Sequence, residues 1–132
     1  MATTTAAITI TSSDLLTDAL ALSTVATLTT AGDVVGLTST SGLGRKTTTS
    51  TSRYTLFDGS EYASAAHKVY LKNVSTDPTQ YLAVDINEER VGKLYAGDWA
   101  FFPWDANADT NDIKITPSVS TSITLEYMLF IG

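Results

Sequence analysis

The chain has 132 residues, a formal net charge of −6 at pH 7 and no cysteine. This length predicts one domain with its own hydrophobic core, and the missing thiols exclude disulfides and thiolate chemistry. The eight Lys and Arg residues are scattered, which argues against a nucleic-acid partner. No run approaches the ~18 apolar residues of a membrane span, and the start, MATTTAAITIT, lacks the pattern of an export signal.

Hydroxyl side chains dominate the composition. Ser and Thr exceed a quarter of the residues, whereas charged residues make up 17%, below the roughly 25% usual for globular domains. Threonine is β-branched and packs well on a pleated surface. The composition therefore favours strands and a surface suited to contact with neighbouring subunits.

The first thirty residues predict extended structure with one alternative. Residues 1–11 are expected to form an extended arm, in which Ile8 and Ile10 could add a strand to the sheet edge of a neighbour. In SSDLLTDALAL a short helix capped by Ser12 or Ser13 competes with an irregular or extended segment. The run LALSTVATLTT that follows predicts a strand.

The middle of the chain predicts a loop. Residues 31–52 are rich in Thr, Ser and Gly, which is typical of a long surface loop or an extended arm. The segment RYTLF then alternates as a strand does and stops at Asp-Gly-Ser, a strong turn signal.

The second half predicts a succession of short strands with turns about every ten residues. The candidates are HKVYLKNV, QYLAVDI, VGKLY, WAFFPW, DIKIT and SITLEYMLFI, and a turn is expected at Asn87–Arg90. Seven or eight short strands in one domain indicate an antiparallel sandwich or barrel. We therefore predict an all-β, single-domain antiparallel β-sandwich that is jelly-roll-like and has an extended N-terminal arm.

Catalytic patterns are weak, and we predict that the chain is not an enzyme. Its one histidine, His67, has no nucleophile elbow to accompany it. The adjacent acids Glu88 with Glu89, and Asp58 with Glu61, have the positions of solvated turn charges. The segment SGLGRKTT lacks the glycine spacing of a phosphate loop.

A partial calcium pattern follows the aromatic segment. Asp105, Asn107 and Asp109 occupy alternate positions of a calcium loop, but Thr110 and Thr116 stand where the loop requires glycine and a bidentate acid. Asp and Asn also dominate ordinary turns. These three residues are therefore a weak calcium candidate, and no cofactor is expected.

The segment WAFFPW, residues 99–104, carries four large aromatic rings in six residues. In a strand, Trp99 and Phe101 face one side while Phe102 and Trp104 face the other. One pair can enter the core and the other needs cover, from the same chain or from another subunit. Pro103 lacks a backbone donor and predicts a sheet edge or a bulge. The interface candidates are Trp99, Phe102, Trp104, Tyr95, Ile8 and Ile10.

Residues 68–131 resemble a pattern that recurs in small structural proteins of tailed bacteriophages. The segment KVYLKNVS leads to an alternating strand, the hairpin LYAGDWAFFPW follows, and SITLEYMLFI closes the domain as a long strand. Proteins of this kind are similar to jelly-roll or β-sandwich modules that decorate capsids or build tail and neck pieces. The resemblance is one of strands and turns, and it does not extend to the N-terminal half.

The resemblance implies a capsid decoration or cement protein on the outer surface of a virion, made in the host cytoplasm. Such a protein binds across junctions of the major capsid protein, usually as a symmetric oligomer, and a homotrimer is favoured. A tail, neck or fibre-associated module is one alternative. Another is a carbohydrate-binding module with Trp99, Trp104 and Tyr95 as a stacking platform. Neither nucleic acid nor a membrane is expected as a partner.

Overall fold

The computed structural model describes residues 3–15, 17, 19–30, 33, 35–37, 39–62, 66–107 and 110–132. The chain divides into two compact units, Met1–Thr38 and Ser39–Gly132. The prediction of an all-β fold with antiparallel sheets is confirmed. The strands are β1 (Thr4–Ser12), β2 (Leu20–Leu28), β3 (Ser39–Thr40), β4 (Gly44–Thr48), β5 (Tyr54–Phe57), β6 (Ala66–Asn73), β7 (Tyr81–Ile86), β8 (Glu89–Tyr95), β9 (Trp99–Asp105), β10 (Ile113–Pro117) and β11 (Ile123–Ile131), with a 3-10 helix at Gly59–Tyr62.

The first unit is built on a two-stranded antiparallel ribbon of β1 and β2, which we call the N-terminal ribbon. Its register runs from Thr4 opposite Leu28 to Ser12 opposite Leu20. Residues 1–11 were predicted to form an extended arm. The extended conformation is correct from Thr4 onward, where the residues pair with β2 of the same chain, while residues 1 and 2 lie outside the described residues.

The helical alternative for SSDLLTDALAL is wrong in the part that the structure describes. Residues 13–15 form bends and β2 begins at Leu20, while Leu16 and Asp18 lie outside the described residues. The Ser12 hydroxyl still acts as a cap would, because its Oγ accepts the N–H groups of Asp14 and Leu15. The β-branched residues of β2 favour a strand, and pairing with β1 satisfies their backbone groups.

The second unit is an antiparallel β-sandwich. Its first sheet has the order β3-β11-β6-β9, with β4 also paired to β11, and its second sheet has the order β5-β10-β7-β8. The predicted turn at Asn87–Arg90 joins β7 to β8, and both Asn87 and Glu88 have positive φ angles. That combination fits a tight two-residue hairpin.

The prediction of a loop at residues 31–52 is wrong where β3 and β4 lie. Both short strands pair with the same edge of β11, β3 near Phe130 and β4 along residues 123–127. The composition did not predict β3 and β4, because threonine and glycine occur both in loops and in edge strands. The partner strand β11 supplies the hydrogen bonds that order these residues.

The core of the sandwich lies between its two sheets. The first sheet contributes fully buried Val69, Leu71 and Leu129, and the second contributes Leu82 and Ile115, each with 0% exposure. These side chains come from alternate positions of their strands, as expected when one face of each sheet is buried.

Candidate protein-binding surface

Strand β9 places its four aromatic rings on two sides of the first sheet. Trp104 is 2% exposed and packs with Phe102 against the core, whereas Trp99 is 50% exposed. Because side chains alternate along a strand, Phe101 shares the outer side with Trp99. Strand β9 pairs only with β6 in the order of this sheet, so Pro103 lies on an edge strand as predicted.

The outer side of the first sheet is rich in aromatic and apolar side chains. In the register of the sheet, Phe101 lies opposite Tyr70 of β6, and Tyr70 lies opposite Met128 of β11. The rings of Phe101 and Phe130 meet edge to face with centroids 6.0 Å apart, a preferred geometry for aromatic pairs. We call this surface the aromatic face. Its members are Tyr70, Trp99, Phe101, Met128 and Phe130.

The aromatic face also carries a charged row beside Trp99. Lys72 lies opposite both Trp99 and Glu126, and Glu126 lies opposite Arg45 of β4. Arg45 reaches Glu126 Oε2 through Nε at 2.8 Å and through a second guanidinium nitrogen at 2.7 Å. The Tyr70 hydroxyl donates to Glu126 Oε1 at 3.1 Å. The carboxylate is therefore held at both oxygens.

These contacts shift the pKa values of Glu126 and Tyr70. The hydrogen bond from Arg45 is the main reason that the pKa of Glu126 lies below its ordinary value, and the Tyr70 bond acts in the same direction. Burial, followed by the bond to Glu126, raises the pKa of Tyr70. The aromatic face therefore includes the Arg45–Glu126 ion pair and two further lysines, Lys68 and Lys72, beside its rings.

The outer side of the second sheet is different in character. Arg90 pairs with Asp85 at 2.6 Å, and Glu88 pairs with both Lys114 and Arg53. The Asp85 carboxylate is buried beneath Arg90, whereas Glu88 is exposed, as is typical of a surface ion pair. In the aromatic face Trp99 is exposed and the other four side chains are half-buried, but all five are neighbours in the register of one sheet. Because a contiguous aromatic patch usually marks an interaction site, the aromatic face is the better candidate for binding another protein.

Two of the predicted interface residues prove to belong to the core. The Trp104 ring contacts Phe57 and Tyr62, and its Nε1 donates to the carbonyl of Asn111 at 2.6 Å. Phe102 is partly buried against the same cluster. The sequence pattern predicted the two pairs of rings correctly but could not tell which pair faced inward. Phe101, absent from the predicted set, belongs to the outer pair.

Tyr95 and Trp99 do not form the platform that sugar binding requires. Tyr95, 42% exposed, is the last residue of β8 and its ring packs on Tyr81 on the second sheet, with centroids 5.2 Å apart. Trp99 begins β9 on the first sheet, and Trp104 is buried. The predicted stacking platform of three exposed rings is therefore wrong.

The remaining predicted residues lie in the N-terminal ribbon. Ile8 is partly exposed and Ile10 is 50% exposed. Both point to the same side of β1, because they are two positions apart. They belong to the first unit, whereas the aromatic face belongs to the second.

His67 has a structural role. It is 2% exposed, its Nε2 bonds the carbonyl of Tyr62 at 2.8 Å, and its Nδ1 accepts the backbone N–H of Gly132 at 3.0 Å. This pattern fits the neutral Nε2–H tautomer. The Nδ1 bond therefore holds Gly132 against β6, and the Nε2 bond holds Tyr62 of the 3-10 helix there.

The acidic candidates also serve local structure. Asp58 Oδ1 accepts bonds from the backbone and hydroxyl of Ser60. In the calcium candidate, Asp105 and Asn107 are exposed at the end of β9, while Asp109 lies outside the described residues. Among the residues that the structure describes, no three His, Cys, Asp or Glu side chains cluster to hold a metal. Calcium binding stays an untested hypothesis.

Comparisons with protein families, with curated proteins and with solved structures found no match. In the described ranges, no helix is long and apolar enough to cross a membrane. The aromatic face and the strand pattern of residues 68–131 are the features of this chain that bear on its function.

Proposed function

We propose that this chain is a structural protein of a tailed-bacteriophage virion, a decoration or cement protein that binds the major capsid protein through its aromatic face. One observation carries the proposal. The outer side of the first sheet places Trp99, Phe101 and Phe130 around a fixed ion pair, whereas the second sheet carries its ion pairs with one pair of tyrosine rings, Tyr81 and Tyr95. Aromatic residues with an arginine among them are the composition of protein interfaces.

The strand order supports the jelly-roll part of this proposal. Leaving β3 aside, the sheets run β4-β11-β6-β9 and β5-β10-β7-β8. The chain crosses between the sheets at almost every step, and each sheet has four antiparallel strands, which favours an eight-stranded jelly roll. The resemblance of residues 68–131 to phage structural proteins implies the same type of module.

A decoration protein stabilises a shell by adding buried area that must be lost before the subunits separate. The aromatic face suits this role because its rings supply much apolar area with little side-chain entropy to lose. The location proposed is the outer capsid surface, and the favoured oligomer is a homotrimer, which would bring three such faces to one junction.

The proposal is tested by binding the purified chain to shells assembled from the major capsid protein of the same genome. We expect Trp99→Ala with Phe101→Ala to weaken binding at least about tenfold, because truncating central aromatic anchors removes most of an interface's affinity. The matched control is Val91→Ala with Tyr95→Ala, two exposed residues on edge strand β8. Circular dichroism and thermal melting check that both variants are folded.

Equal binding by both variants would contradict the role of the aromatic face. Failure of the unaltered chain to bind shells would contradict the decoration role. Labelling the protein on intact particles for electron microscopy then separates a capsid location from the tail, neck or fibre alternative.

A further inference from the structure

The N-terminal ribbon has no charged residue in either strand. The strands β1 and β2 read TTAAITITS and LALSTVATL, eighteen residues of aliphatic and hydroxyl side chains. Natural proteins protect exposed sheet edges with lysine, proline or other charges. Neither strand of this ribbon carries such protection, although the whole chain has a net charge of −6.

The two sides of the ribbon differ in hydrophobicity. The register places Ile10 opposite Leu22, and Ile8 and Leu20 project from the same side. On the other side Thr9 lies opposite Ser23, and Val25 is the one large apolar residue of the two strands there. We call the side with Ile8, Ile10, Leu20 and Leu22 the apolar side of the ribbon. Ile10 is 50% exposed and Leu22 is 46% exposed.

A ribbon of this kind needs cover to be stable. Two-stranded hairpins are marginally stable at best in water and require either further strands or packing against another element. The clustered Ile and Leu residues near the hairpin end supply the area that such packing would bury. The covering surface must therefore be one that can pack against uncharged aliphatic side chains.

The absence of charge in the ribbon limits which surface can cover it. A covering surface that carried lysines or carboxylates would lose their hydration, and the ribbon has no opposite charge to offer in return. The apolar side of a second ribbon meets this requirement, because it is uncharged and has the same length. Two chains of net charge −6 repel each other, so contact through their uncharged strands is the least opposed.

We infer that the apolar side of the N-terminal ribbon is a self-association surface, which packs against the same side of the ribbon in a second copy of this chain. Strands of nine residues give a face of about 30 Å by about 10 Å. That area is small beside the ~800 Å² per partner of a standard interface, so we expect the association to be weak and to depend on protein concentration. The inference does not require a virion role.

The first experiment measures mass by light scattering on the full chain between about 1 and 300 µM. The unaltered chain is expected to associate across this range, and Ile10→Lys with Leu22→Lys to remain monomeric. The matched control is Thr9→Lys with Ser23→Lys, which adds the same charge to the adjacent register pair on the opposite side. The control is expected to associate as the unaltered chain does.

The second experiment remains informative if the lysine variants disturb the ribbon. The chain has no cysteine, so Ile10→Cys and Thr9→Cys each create one thiol for maleimide labelling. Labelling of Ile10→Cys is expected to slow at least fivefold as the protein concentration rises, while Thr9→Cys keeps its rate.

Three results would overturn the inference. The first is an unaltered chain that stays monomeric at the highest concentration. The second is the same degree of association in the two lysine variants, whether high or low, and the third is labelling of Ile10→Cys that does not depend on concentration. Slow labelling at every concentration would place the cover within the same chain. Failure to bind capsid shells would leave all of these measurements unaffected, so the two proposals fail separately.

Discussion

Asn73 illustrates how one buried polar residue joins separate parts of the sandwich. It is 0% exposed, its side-chain amide donates to the carbonyls of Leu94 at 3.0 Å and Gln80 at 3.4 Å, and its Oδ1 accepts the N–H of Ser75 at 3.0 Å. Strand β6 belongs to the first sheet and Leu94 to the second, so this amide connects the two layers. Nothing in the triplet Asn-Val-Ser, which also fits a glycosylation acceptor, indicates this burial.

Asn73→Ala is expected to destabilise the fold by about 1–3 kcal/mol, because it leaves buried backbone groups without partners. The free energy of unfolding is measured by urea titration. Asn107→Ala, an exposed position at the end of β9, is the control and should stay within about 0.5 kcal/mol. Equal effects at the two positions would show that the buried hydrogen bonds contribute little.

At the scale of elements, short strands are held to the sandwich by specific side chains. Strand β4 has five residues and lies at the edge of β11, where Arg45 bonds Glu126. The Glu126 side chain is 11% exposed while that of Arg45 is 65% exposed. The pair therefore fixes a weak edge strand through one nearly buried carboxylate, which makes this edge sensitive to acid.

The lowered pKa of Glu126 means that folding favours its ionised form. This contribution is present above the ordinary pKa of the unfolded carboxyl and is lost as pH falls through the lowered folded value. We expect Glu126→Gln to be less stable than the unaltered chain at pH 7 but to lose less stability between about pH 5 and pH 2.

Thermal melting across this pH range measures the difference, with the exposed Glu61→Gln as the control. An acid dependence that is unchanged in Glu126→Gln would contradict the role of this ion pair.

At the scale of the whole molecule, the N-terminal ribbon differs in charge from the sandwich. Both sheets of the sandwich carry ion pairs on their outer sides, whereas the two strands of the ribbon have no charged residue. Two chains of net charge −6 repel each other, and contact through the uncharged ribbon strands opposes this repulsion least. Salt should therefore strengthen self-association, which distinguishes this contact from one made by ion pairs.

Raising the ionic strength from about 0.01 M to about 0.15 M shortens the Debye length from about 30 Å to about 8 Å. We expect the light-scattering mass of the unaltered chain to rise at a fixed protein concentration, since repulsion is screened and no attractive ion pair is lost. A mass that falls with added salt would indicate that charged residues hold the copies together.

The sequence by itself determined the class of fold and the pairing of side chains on each strand. β-branched and alternating residues predicted the strands of the second half, and the period of two placed Trp99 with Phe101 and Phe102 with Trp104. Pro103 correctly marked an edge strand. These features depend on neighbours along the chain, so local pattern was sufficient to predict them.

Only the tertiary structure decided which side of each strand is buried and which weak segments become strands. Both sides of β9 are aromatic, so alternation could not tell that Trp104 enters the core while Trp99 faces outward. Likewise β3 and β4 are ordered by pairing with β11, which lies about eighty residues further along the chain. Burial and edge pairing depend on distant partners, and the local sequence does not encode their positions.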